Sequence, residues 1–231
     1  MLDLKQADIA IISFPGANCD RDIQVACHSI TGKPPRLVWH THAELGRPDL
    51  VILPGGFTFG DYLRQGAIAA HSPIMDEVRE HAWRGGYILG ICNGFQILLE
   101  MGLLEGVLLP NKHLRFICRD IAITAVSTDN PMLSDVAGMT LTLPIAHIAG
   151  NYFTDPDTLA RLHDKEQIAF TYTNSPNPNG SLADIAGILS DNKRILGLMP
   201  HPERKIDAIH SLGHGGRDGR VLLKSVIAAA I

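Results

Sequence analysis

An apolar run from Tyr87 to Ile91 passes directly into Gly90-Ile91-Cys92-Asn93-Gly94. A helix pattern starts at once, continues over Asn93–Met101 and is stopped by Gly102. Glycines two residues before and two residues after a central position remove side chains that would collide where a strand turns sharply into a helix. This is the cysteine form of the strand–nucleophile–helix elbow known as G-x-S-x-G. A chain that contains it needs a buried parallel strand with a helix folded back on it, which points to an α/β sheet.

The surrounding sequence has the same alternation. Ile9–Phe14 is a continuous apolar run ended by Pro15-Gly16, as expected of a parallel strand buried on both faces. Asp20 is placed to cap the helix that follows. Leu37–Trp39 and Val51–Leu53 read as further strands, and Asp61–Ala70 and Ile74–Trp83 as helices. After Met101 the pattern shifts to strands: Phe116–Val126, Met139–Leu143, Ile168–Thr173, Ile185–Leu189 and Ile195–Met199. Asp191-Asn192 marks a hairpin between the last two. Asn174–Gly180 is a turn-rich loop, and helices are expected at Pro202–Leu212 and Gly219–Ala230. There is no internal repeat. The predicted fold is a doubly wound, mostly parallel sheet with helices on both faces and a small antiparallel addition, in a single domain over residues 1–231.

Composition narrows the function. The 231 residues are 45% hydrophobic and 19% charged, enough apolar material for a core and too little charge for disorder. A formal net charge of −4 forces no basic face of the kind nucleic-acid phosphates require. The acidic start at Asp3 and Asp8 does not suit a signal peptide. The longest uncharged stretch, Val136–Thr154, carries threonines, Pro144, His147 and Asn151 and makes a poor membrane span. With four cysteines, no C-x-x-C and no zinc-finger spacing, the expectation is a reduced, cytoplasmic protein without a structural metal.

Among the cysteines, Cys92 has the setting of a nucleophile. It would lie at a helix N-terminus, where unpaired N–H groups favour the thiolate, and the N–H of Asn93 would point at a developing oxyanion. A buried, inert core thiol is the competing reading. Cys27 falls in a helix core, and Cys19, just after a glycine turn, stays ambiguous. Of the eleven histidines, His201 follows a strand directly in Met199-Pro200-His201-Pro202-Glu203-Arg204. Pro202 biases His201 toward extended backbone, so His201 and Glu203 would share a face and the carboxylate could orient the imidazole. Taken alone, His-Pro-Glu is equally a rigid surface turn. Leu53-Pro54-Gly55-Gly56 ends another strand, and the N–H of Gly56 is the candidate second oxyanion donor.

Taken together these residues resemble the class I (triad) glutamine amidotransferases. The marks are FPGANCDRD at Phe14–Asp22, LPGGFTFGDYLRQGAIA at Leu53–Ala69, GICNGFQIL at Gly90–Leu98, FICRD at Phe116–Asp120, PIAH at Pro144–His147, ADIAGI at Ala183–Ile188 and GLMPHPER at Gly197–Arg204. The resemblance spans nearly the whole chain, and its GDYLR, FICRD and PIAH segments point to the branch that serves purine biosynthesis. It implies a flavodoxin-like fold and a triad of Cys92, His201 and Glu203. It also implies an oxyanion hole from the backbone of Gly56 and Asn93, with Gln96 binding the substrate glutamine. Glutamine would be hydrolysed to glutamate and ammonia through a thioester. The chain has no GxxxxGK[ST] phosphate loop, so the resemblance implies a partner, an ATP-dependent synthetase subunit. That partner would hold ATP and Mg²⁺, take up the ammonia and act on formylglycinamide ribonucleotide, with a small third subunit beside it. Two positions depart from the family pattern: Ile148-Ala149 stand where Gly-Glu is usual after PIAH, and Gln65 stands where Cys is common. Two alternatives stay open: a triad glutaminase serving another synthetase, and a non-catalytic binding protein on the same fold.

Overall fold

The computed structural model describes residues 3–173, 177–210 and 216–231. Five strands run parallel: β1 (Ile9–Ser13), β2 (Arg36–Trp39), β3 (Leu50–Leu53), β4 (Tyr87–Ile91) and β11 (Ile195–Leu198). They are joined by α1 (Asp20–Thr31), α2 (Ile74–Trp83) and α3 (Asn93–Glu100). Four more strands extend the same sheet antiparallel: β6 (Ile117–Ala125), β7 (Thr140–His147), β9 (Ile168–Tyr172) and β10 (Ile185–Leu189). The order across the sheet is β2-β1-β3-β4-β11-β10-β9-β6-β7. The chain steps outward from β1 to β2, then back past β1 to β3 and β4. With right-handed crossovers this puts α1 and α2 on opposite faces. The C-terminal helix α5 (Asp218–Ala230) packs beside α1.

The central strands are almost wholly apolar because both faces are covered; β1, β3, β10 and β11 are buried throughout. The Asp191-Asn192 hairpin joins β10 and β11 as expected. Three elements lie outside the sequence expectation: β5 (Val107–Pro110) and β8 (Ala149–Phe153), which form a separate two-stranded ribbon, and α4 (Pro156–Asp164), capped by Asp155. In addition, β7 runs on through PIAH.

Three local expectations are corrected. Asp20 is the first residue of α1 rather than its cap. Cys19 takes the cap position, and the Asp20 carboxylate accepts a hydrogen bond from Ser13 Oγ at 2.7 Å. The helix expected over Asp61–Ala70 does not form. Short 3-10 turns at Thr58–Asp61 and Ala69–His71 flank a loop in which Phe59, Asp61 and Leu63 have φ of 52°, 56° and 69°. Left-handed backbone at such residues is incompatible with an α-helix. Pro202–Leu212 likewise gives only 3-10 turns at Pro202–Arg204 and Ala208–His210, and residues 211 and 212 lie outside the described residues, as do 174–176 of the Asn174–Gly180 loop.

The segment after His201 is tied to the sheet by Lys205. This lysine is 1% exposed, and its Nζ pairs with the Asp120 carboxylate of β6. A desolvated ammonium with one counter-ion is strongly destabilised when that partner goes. Asp120→Asn is expected to cost about 2 kcal/mol by denaturant titration. That is less than the ~3–5 kcal/mol of a fully buried pair, because Asp120 keeps contact with water.

Candidate functional site

Cys92 lies between β4 and α3 with φ 50° and ψ −104°, a conformation that costs of order 1–3 kcal/mol and persists only where the surroundings enforce it. They do so in two ways. The Cys92 N–H donates to Leu198 O of β11 at 2.8 Å. Gly94 lies so close to the Leu53 carbonyl of β3 that any side chain at that position would overlap it. Cys92 is 5% exposed, and its Sγ is 3.9 Å from Ala146 O.

The adjacent parallel strand β11 ends in Met199-Pro200-His201, so the sheet brings His201 beside Cys92. The His201 N–H is anchored on Pro144 O of β7 at 2.8 Å. His201 Nδ1 and Glu203 Oε1 are 2.6 Å apart, and both side chains are buried. The expected pairing holds, but through a different backbone: His201 is extended (φ −104°, ψ 91°) while Pro202-Glu203 enter a 3-10 turn. His201 Nε2 makes no well-formed hydrogen bond. The sulfurs of Cys92 and Cys19 act on the ring as loose neighbours. Burial alone would lower the imidazole pKa. The Glu203 carboxylate and the two sulfurs outweigh burial and hold it well above its ordinary value.

Cys19, left ambiguous by the sequence, belongs to this cluster. Its sulfur accepts a hydrogen bond from Arg204 at 2.9 Å, and Arg204 also faces Asp22 at 3.4 Å. Cys19, His201 and Glu203 each place a donor atom within 4.8 Å of the others, the spacing of a metal site. Here Arg204 occupies the sulfur and Glu203 occupies Nδ1, so the donors satisfy one another. Cys27 is a core thiol, as expected, pushed up to about 12 by burial.

A narrow cavity of about 10 Å³ opens on the Cys92 sulfur, lined among others by Gly56, Asp61, Gln96, His147 and Ala149. A larger one of about 640 Å³, lined by His113, Phe116 and Arg119, holds none of these groups. Gly56 has φ 152°, and Ala17 and Asn18 crowd the space a side chain would fill, leaving bare backbone facing the site. Gln96 bridges two elements: its Oε1 accepts from Asn93 Nδ2 at 2.8 Å and its Nε2 donates to Ala149 O at 2.8 Å. Asn93 Oδ1 accepts from the Thr58 N–H at 3.2 Å.

Sequence reasoning left His147 open and did not single out Asp61. The Nδ1 of His147 pairs with Asn111 Oδ1 at 3.0 Å, an oxygen that also accepts from the Gly150 N–H. Since that oxygen only accepts, His147 carries its proton on Nδ1 and presents a bare, unpartnered Nε2. Burial, and then the charge of His201, pull its pKa down to about 4. Asp61 is half-buried, and desolvation raises its carboxyl to about 6.

The chain is similar to known proteins over most of its length. Residues 6–216 match the family model described as CobB/CobQ-like glutamine amidotransferase domain. The chain is 51% identical over 222 residues to phosphoribosylformylglycinamidine synthase subunit PurQ of Roseobacter denitrificans, covering 95% of this chain and 97% of that one. It is 54% identical over 198 residues to the subunit of the same name from a Synechococcus strain, covering 85% and 88%. Among solved structures, PurLQS from Thermotoga maritima matches with a TM-score of 0.85 and 38% identity over 96% of this chain and 98% of that one. A glutamine amidotransferase from the same organism (TM-score 0.56, 17% identity, 88% of this chain and 78% of that one) shares the fold.

Two outcomes test the electrostatics. Glu203→Gln removes the main attraction that holds the His201 proton, so the imidazole should titrate lower by NMR and glutamine hydrolysis should fall about 10²–10⁴-fold. For His147, a folded pKa of about 4 lies below the ordinary ~6.5, so the unfolded chain protonates first as pH falls. The stability that neutral His147 contributes is complete above ~6.5 and is lost as pH falls toward 4. Between pH 7 and 4, wild type should lose about 2–3 kcal/mol more unfolding free energy than His147→Asn.

Proposed function

This chain belongs to the glutamine amidotransferase family, and on that premise we propose that it is the glutaminase subunit of phosphoribosylformylglycinamidine synthase. The observation that carries the chemistry is the elbow cysteine beside the buried His201–Glu203 pair. The choice of synthase rests on likeness over nearly the full length to the PurQ subunits. We read residues 1–231 as one glutamine amidotransferase domain, since nine strands share one sheet.

In the proposed mechanism the Cys92 thiolate adds to the side-chain amide carbon of glutamine. The oxygen takes up the negative charge against the N–H groups of Gly56 and Asn93, which cost no reorganisation because the backbone already holds them. His201, kept protonated by Glu203, gives its proton to the amide nitrogen; the C–N bond breaks, ammonia leaves and a glutamyl thioester remains. Water then loses a proton to His201 and attacks the thioester. Glutamate departs and the Cys92 thiolate is restored beside protonated His201. Gln96 would contact the glutamine from the pocket wall.

The ammonia goes to an ATP-dependent synthetase subunit of the PurL kind, which uses ATP and Mg²⁺ to convert formylglycinamide ribonucleotide to formylglycinamidine ribonucleotide. A small PurS-like subunit completes the complex in the cytoplasm. Phe57, Tyr62, Leu63, Phe116 and Ile148 leave large apolar side chains exposed at and near the pocket mouth, a surface suited to a protein partner. No helix among the described residues is long and apolar enough to cross a membrane.

The deciding experiment separates the two half-reactions. In the assembled complex, Cys92→Ala should lower glutamine-dependent synthesis by at least about 10³-fold and leave synthesis from added ammonium salt intact. Loss of both in an assembled variant would overturn this division of labour. A wild-type complex that aminates a different acceptor would point to another synthetase.

A further inference from the structure

The loop Thr58–Asp61 contains consecutive left-handed residues at Phe59, Gly60 and Asp61. It is held by the Phe59 N–H on Pro15 O at 2.7 Å, the Phe57 N–H on Gly16 O at 2.9 Å and the Thr58 N–H on Asn93 Oδ1. Left-handed backbone at a bulky residue carries a cost, and such strain concentrates where a side chain must be aimed. Here it turns Asp61 into the wall of the Cys92 cavity, where it is the one carboxylate among the described lining residues.

Among the described residues that carboxylate has no counter-ion, and its one side-chain hydrogen bond there is from Asn93 Nδ2 at 3.4 Å, a long bond from an amide that already donates to Gln96 at 2.8 Å. A half-buried acid with so little compensation calls for a cation from outside the protein. Asp61 and Cys92 line the same cavity, and Asn93, the residue after Cys92, is the one that contacts Asp61.

We propose that Asp61 is the receptor for the α-ammonium group of the substrate, and so the residue that makes the pocket select an α-amino acid amide over a simple amide. This rests on reading the pocket as a glutaminase site. Glutamine carries one cation, and Asp61 would repel its α-carboxylate, which sets the direction in which the amino acid end lies. Pairing with the ammonium replaces the water Asp61 loses when glutamine fills the pocket, so Asp61 contributes to binding and to orientation of the amide toward Cys92.

The test compares two amides in the assembled complex: L-glutamine and glutaramate, which has the same amide and carboxylate but no amino group. Asp61→Asn should raise KM for glutamine about 10–100-fold, the loss expected for a hydrogen-bonded charge, and change kcat/KM for glutaramate by less than about threefold. The wild-type preference for glutamine should collapse, and Asp61→Glu should recover part of it. In the wild-type complex, glutamate should protect Cys92 from iodoacetamide at about tenfold lower concentration than glutarate does. Equal losses on both amides, an unchanged KM for glutamine or equal protection by the two acids would overturn the proposal. A wild-type complex that hydrolyses neither amide would overturn the glutaminase reading beneath it. Should Asp61→Asn fail to fold, Asp61→Ser removes the same charge with a smaller side chain.

Discussion

The close approach of α3 to the carboxyl end of β3, with the Gly94 backbone against the Leu53 carbonyl, sets the geometry on which the site depends. Only a residue without a side chain allows it. Once α3 is seated there, the residue joining β4 to α3 has no relaxed conformation available, and Cys92 is held at positive φ with its sulfur facing the pocket. The bond from the Cys92 N–H to Leu198 O then locks this turn to β11, the strand that delivers His201.

Neighbouring parallel strands therefore do the work that sequence proximity cannot. Gly90 pairs with Gly197 and Ile91 with Leu198, so the residues just beyond the two strands, Cys92 and His201, emerge at the same edge of the sheet. In open α/β sheets this edge is where ligands bind, because loops diverge there and helix N-termini point into the gap. The antiparallel strands close the far side: β7 supplies the anchor for the His201 N–H and carries Ala146 and His147 to the pocket. Lys205, buried and paired to Asp120 on β6, holds the segment after Glu203 against the same strands.

Charges in the site are arranged in contrast. His201 is kept protonated by a buried carboxylate and two sulfurs, while His147, equally buried but hydrogen-bonded to a neutral amide oxygen, is kept neutral. The difference lies in the partner of Nδ1 in each case: burial disfavours the charged ring at both positions, and the carboxylate beside His201 outweighs it where the amide beside His147 does not. Asp61 lies on the same cavity with only the long contact from Asn93 Nδ2 and no ion pair among the described residues.

The sequence by itself determined the local pieces. Apolar runs bounded by Pro and Gly marked β1, β3 and β4, the spacing of Gly90 and Gly94 marked the elbow, and His-Pro-Glu marked a side-chain pair, because each depends on a few adjacent residues. It did not show the loop after Gly56, where Phe59, Asp61 and Leu63 adopt left-handed backbone that their residue types disfavour and that only contacts with Pro15, Gly16 and Asn93 enforce. It did not show β5, β8 or α4. It left Cys19 and His147 undecided and passed over Asp61, since their surroundings come from segments far away in the chain. Strand order across the sheet decided which of these side chains meet, and burial against those distant segments decided their protonation.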